Sequence, residues 1–174
     1  MSRGAALAIA LSTAAIGPAV GPASAETIKD EKHRYRLELP SGFAAVSRTA
    51  EGTVASYRDN KRGIRLSIAR VSYPNRAAWR KKKAFFESVE AGVKDAVTDY
   101  KRLSRKRLKL GRVPAMDLWL SREAEDDTDI AAVRFVFFRT YTVVLSVAMT
   151  REAYQAHRRR VEAMLTSFEP YFGD

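Results

Sequence analysis

Arg105, Arg107 and Lys109 stand at alternate positions within the basic segment 101–112. In an extended chain, alternate side chains leave the same face of the strand. The three cations therefore read as a platform for an anion. Trp119 is the aromatic expected beside them. If a turn over residues 111–114 pairs Leu108 with Leu118, Arg107 falls opposite Trp119 and Lys109 opposite Asp117. Cross-strand pairs of this kind stabilise a sheet modestly, as does a guanidinium over an exposed indole ring. The competing use of such residues is edge protection, since lysine and arginine on a sheet edge block aggregation without any ligand.

Other chemistry is sparse. His33 lies near the N-terminus expected after leader removal, in a stretch that reads as frayed and too mobile for a catalytic platform. His157 lies on an apolar helical stripe and is followed by Arg158, Arg159 and Arg160. A helix-face histidine is ordinarily a core-edge residue, because a catalytic base needs a substrate proton within reach. The alternative function class is a small extracytoplasmic hydrolase or metal-dependent enzyme that uses His157 with a nearby carboxylate. The acidic run over residues 123–129 has neither the glycine nor the spaced oxygen ligands of a calcium loop, so it reads as a solvated loop. The chain has no cysteine, which excludes disulfides, thiolate catalysis, cysteine metal ligands and a lipid-modified cysteine. No phosphate-cradling glycine loop, zinc spacing or nucleophile elbow is present, and no cofactor or metal is expected.

The elements that position these residues follow from hydrophobic period. Tyr35, Leu37 and Leu39 alternate with charged residues, and Pro40-Ser41-Gly42 ends that strand. Further strands are expected at residues 53–57 and 64–69, joined by the hairpin-type connection at 59–63. The period then becomes helical. Trp79, Phe86, Val89, Val93 and Ala96 predict a helix near 75–97 that Asn75 can cap. Four strands follow, at residues 107–110, 116–121, 130–138 and 143–149. The third of these is apolar on both faces, as a strand covered on both sides must be. A last helix near 150–169, capped by Thr150, carries the stripe Tyr154, His157, Val161, Met164, Leu165 and Phe168. Short connections favour antiparallel pairing. The fold class expected is α+β, an α/β/α sandwich of two main helices on one mainly antiparallel sheet of about six to seven strands.

The first 25 of the 174 residues read as a leader. Arg3 precedes an uncharged apolar run over residues 5–16, and Ala23-Ser24-Ala25 offers a small-x-small cleavage site before Glu26. The run is too short for a bilayer span, which takes about 20 apolar residues. Residues 26–174 then form a single domain, large enough for a real core. The net charge of +11 attracts anionic partners. In an extracytoplasmic setting, periplasmic or secreted, these are an acidic protein surface or an anionic membrane or envelope component. Nucleic acid is not expected there.

The ordering of elements resembles the PsbP-like fold, known from the extrinsic PsbP protein of photosystem II, exported bacterial relatives and a eukaryotic Ran-binding import factor. The matching features are the strand ending in Leu39-Pro40-Ser41-Gly42-Phe43, the long helix after the third strand, and the closing Met164-Leu165-Thr166-Ser167-Phe168. The resemblance spans about residues 33–170. It implies a binding or assembly factor rather than an enzyme, and it carries over no catalytic residue.

Overall fold

The computed structural model describes residues 25–46, 52–72, 82–124 and 127–172. The leader up to residue 24, the expected helix start with Asn75 and Trp79, and the basic side chains at 81–83 lie outside the described residues. The strands are β1 (Glu26–Asp30), β2 (Tyr35–Leu39), β3 (Ala44–Val46), β4 (Thr53–Asp59), β5 (Ile64–Ser72), β6 (Lys101–Leu110), β7 (Val113–Ala124), β8 (Asp127–Phe137), β9 (Tyr141–Thr150) and β10 (Glu169–Pro170). The helices are α1 (Lys82–Ala96) and α2 (Arg151–Thr166).

Seven strands form one antiparallel sheet in the order β3-β4-β5-β9-β8-β7-β6. Its middle is built from β8 and β9, whose residues are buried on both faces over most of their length. Even and odd positions serve different layers. Met116, Leu118, Leu120, Val133, Phe135 and Phe137 pack with Phe86 and Val93 of α1 and with Val97 just past its end. Ala115, Ala132, Val136, Leu145 and Val147 pack with Val161, Met164 and Leu165 of α2. The α/β/α layering expected from the sequence is therefore present.

Three expectations are corrected. Residues 26–30 are not frayed. β1 pairs with β2 along its whole length, and β10 flanks β2 on the other side, so a second sheet of three strands sits beside α2. The signal is weak because β1 is polar. Backbone pairing and one apolar side chain, Ile28, hold it to the core. His33 is fixed in the β1–β2 turn, with Nδ1 2.8 Å from Asp30 Oδ2 and its backbone N–H 2.9 Å from Asp30 Oδ1. Most of the acidic run is not a loop: Glu123 and Ala124 continue β7 and residues 127–129 open β8, with Glu123 opposite Thr128 and Ala124 opposite Asp127, while residues 125–126 lie outside the described residues. The Arg122 guanidinium binds the Asp129 carboxylate at 2.7 Å, which extends the ladder past its apolar part.

The turn after β2 explains its glycine. Leu39 and Phe43 are both buried, so the chain must reverse tightly between them. Gly42 does so at φ 96°. A Cβ there would lie 2.8 Å from Arg62 Nη1 and 3.0 Å from Asp59 Oδ2. Asp59 is itself fully buried and takes the Arg62 backbone N–H at 3.1 Å and its guanidinium at 2.7 Å. Thr150 caps α2 as expected, its hydroxyl accepting from the Ala153 N–H at 3.2 Å. Among the described residues, no helix is long and apolar enough to cross a membrane.

Candidate anion-binding edge

β6 is an edge of the large sheet. Six of its ten residues are Lys or Arg, none is acidic, and residues 101–107 are exposed throughout. Natural sheets guard their edges either by shortness or by charge, and this edge carries charge.

The register differs from the expected one. Gly111, at φ 59°, lets the chain reverse in two residues, so Leu110 pairs with Val113 at once. A glycine at the first central position suits a type II′ hairpin turn. Leu108 then faces Ala115, Arg107 faces Met116, Lys109 faces Pro114 and Arg105 faces Leu118. Arg105, Arg107 and Lys109 do share a face, and it is the α1 face, because Met116 and Leu118 belong to the α1 core. Trp119 belongs to the other face. It packs edge-on against Tyr154 of α2 with ring centroids 5.5 Å apart. The pairing of Arg107 with Trp119 is therefore not made. Arg107 lies instead 5.0 Å over the Phe86 ring of α1. Asp117 does not meet Lys109. It takes the buried Arg134 guanidinium at 2.6 and 2.7 Å, and Arg134 also donates to the Leu165 carbonyl of α2.

A carboxylate that the sequence reading passed over organises the platform. Glu90 of α1 accepts from Arg102 at 2.6 Å, from Arg105, and from the Tyr100 hydroxyl at 3.3 Å. Burial works to raise the Glu90 pKa, but the hydrogen bonds from Arg102 and Arg105 outweigh it and hold the group below its ordinary value. Tyr100 is pushed up to about 12, by burial first and by the Glu90 charge second. The signal was available. Phe86, Glu90, Val93 and Val97 fall at spacings of four, three and four, so Glu90 lies on the buried stripe of its helix. One carboxylate cannot neutralise two guanidinium groups. Lys101, Lys106, Arg107 and Lys109 add positive charge with no ion pair to a described residue.

His157 is half-buried on α2, and no carboxylate among the described residues lies within ion-pair or hydrogen-bond distance of it. No group of three or more metal-ligating side chains occurs among the described residues.

A seven-stranded antiparallel sheet between two helices, with a small sheet beside the second helix, is the PsbP-like α+β fold. Cyanobacterial PsbP (CyanoP) from Synechocystis sp. PCC 6803 matches 91% of this chain and 99% of its own, at a TM-score of 0.60 and 17% identity. Protein PA94 of Pseudomonas aeruginosa matches over 87% and 100%, at 0.56 and 10% identity. The Ran-binding protein Mog1p of Saccharomyces cerevisiae matches over 84% and 95%, at 0.55 and 12% identity. No family model matches the sequence, and no curated protein sequence is significantly similar to it. At these identities the likeness establishes the fold.

Proposed function

We propose that this chain is an exported, non-enzymatic binding protein that engages an acidic protein partner along the outer edge of β6. The observation that carries the reading is the edge itself, ten residues long with six cations and no strand beyond it among the described residues. An open edge pairs with an extended segment through its backbone, while alternate side chains choose the partner. Two copies of β6 repel one another, so an acidic strand is the compatible guest. Glu90 holds Arg102 and Arg105 in place beforehand, which reduces the ordering cost of binding. A protein of the same fold, Mog1p, is named for binding another protein. Export rests on the leader read from residues 1–25.

Arg105 is a poor site for charge reversal, because a glutamate there would face Glu90. The test is Lys106→Glu with Arg107→Glu and Lys109→Glu, against a control of equal charge change, Arg139→Glu with Arg151→Glu and Arg159→Glu. All six positions are exposed. Binding of a glutamate-rich peptide is read by fluorescence anisotropy. Affinity falls steeply with salt, since charges are screened over about 8 Å at physiological ionic strength. The β6 triple variant loses binding and the control keeps it. Equal loss in both would mean attraction by net charge alone. Binding to anionic vesicles with no binding of the peptide would overturn the protein-partner reading.

A further inference from the structure

One row of the large sheet carries three serines side by side. Ser56 of β4 is the ladder partner of Ser67 of β5, and Ser67 is the partner of Ser146 of β9. The adjacent row sets Arg58 directly opposite Arg65, and Arg65 opposite Ala148. Direct partners in an antiparallel ladder share a face at a spacing of about 5 Å. The face is the α1 face. Ser146 continues the row to Val133 and Ala148 continues the other to Ala131, and both belong to the α1 core.

This part of the face is built unlike its continuation. Across β8 and β7 the same rows read Val133 to Leu118 and Ala131 to Leu120, all apolar. Across β4, β5 and β9 they read three hydroxyls and two guanidinium groups. Like charges directly opposite one another destabilise a sheet. Neither arginine is paired with a carboxylate among the described residues. Ser146 is only 7% exposed and its Oγ has no hydrogen-bond partner, and the buried Nε of Arg58 has none either. Buried polar atoms in native proteins are ordinarily satisfied. Here two buried polar atoms are left over, the two guanidinium charges have no carboxylate partner among the described residues, and both features belong to adjacent rows of one face.

We infer that the Ser56–Ser67–Ser146 row and the Arg58–Arg65 pair bind a phosphate-type oxyanion. A tetrahedral anion between the guanidinium groups turns their repulsion into two charge-assisted interactions, and arginine forks match phosphate oxygens. The serine hydroxyls donate to the remaining oxygens, Ser146 with its unused Oγ. The site is separate from the proposed partner edge. Three strands, β9, β8 and β7, lie between β5 and β6, and the inference does not rest on the acidic partner.

The probe is inorganic phosphate, titrated by calorimetry into the full chain and followed in parallel by thermal melting. Wild type binds saturably and melts higher with phosphate. Arg65→Gln and Ser146→Ala each weaken phosphate affinity about tenfold or more. Without phosphate, Arg65→Gln melts above wild type, since it removes the like-charge pair. An arginine retained for structure would shift melting the other way. The Lys106→Glu, Arg107→Glu, Lys109→Glu variant keeps its phosphate affinity, which separates this site from β6. Vesicles of phosphatidylglycerol, compared with phosphatidylcholine, distinguish the source. Binding lost in Arg65→Gln assigns a lipid headgroup, and binding of free phosphate alone assigns a soluble phosphate. Absence of saturable phosphate binding by wild type, or affinity unchanged in both variants, overturns the inference.

Discussion

Asp117 of β7 stands opposite Arg134 of β8 and receives its Nε at 2.6 Å and its Nη2 at 2.7 Å. The same guanidinium donates to the Leu165 carbonyl, so one ion pair on the buried Arg134 ties the adjacent strands β7 and β8 to α2. Removing one partner of a buried pair leaves an uncompensated charge, which costs about 3–5 kcal/mol. Asp117→Ala should lower the urea midpoint accordingly. Replacing both, as Asp117→Leu with Arg134→Met, should recover most of the loss, because a well-packed apolar pair can substitute for a buried ion pair. A double variant as unstable as the single one would show that the Leu165 contact, not the pair, carries the effect.

Glu90 fastens α1 to β6, and its acid behaviour follows from its lowered pKa. A carboxylate held below its unfolded value of about 4.3 contributes stability above that pH and loses it as pH falls through the folded value. Glu90→Gln should therefore cost about 1–2 kcal/mol near neutral pH, and the difference from wild type should shrink as pH falls through the lowered folded-state value. Asp30, held low by His33 against the effect of its burial, adds to the same acid loss. A gap between wild type and Glu90→Gln that persists undiminished in acid would contradict the assignment.

Tyr100 gives the alkaline counterpart. Its pKa is raised to about 12, so its contribution is complete below the ordinary tyrosine value of about 10 and is lost as pH rises through about 12. A phenolate absorbance titration should show late-ionising groups among the seven tyrosines, of which the one at about 12 is absent in Tyr100→Phe while Tyr141, raised by burial, remains. In Glu90→Gln the Tyr100 group should move down yet stay above the ordinary value, since burial is the larger cause. A full return to the ordinary value would mean the Glu90 charge, not burial, sets the shift.

What the sequence discloses is local. The alternation of Leu37 and Leu39, the two-faced apolar run of β8, the stripe of α2 and its Thr150 cap are visible within short windows and recur in the structure. Pairing is different. A two-residue turn at Gly111 in place of a four-residue one moved every partner of β6, which put Arg107 on Phe86 and Trp119 on the far face. Glu90 bonds Arg102 and Arg105 across twelve and fifteen residues, and Ser67 meets Ser146 through a strand pair that no window spans. Charge at β6 was legible. The carboxylate that positions it, and the two arginines set against each other on β4 and β5, depend on register.

Gly42 and Gly63 offer a matched comparison. Both have positive φ, 96° and 65° respectively, but a Cβ at Gly63 meets nothing within 4 Å, whereas one at Gly42 meets Arg62 Nη1 and Asp59 Oδ2. Gly63→Ala should thus cost only left-handed backbone strain, about 1–2 kcal/mol. Gly42→Ala should cost more, for two reasons. Its φ lies farther from the left-handed well near about 57°, where a side chain is best tolerated. Its Cβ also pushes the Arg62 guanidinium off a carboxylate that is fully buried and depends on that partner. The reading is checked by urea unfolding of both variants and of Gly42→Ala combined with Arg62→Ala. If the clash is with Arg62, the combined variant loses less than the sum of its two single losses, because neighbouring effects do not add. Strict additivity, or equal losses for the two glycines, would leave backbone strain as the whole cost and remove the Asp59–Arg62 pair as the reason for a glycine in the Leu39–Phe43 turn.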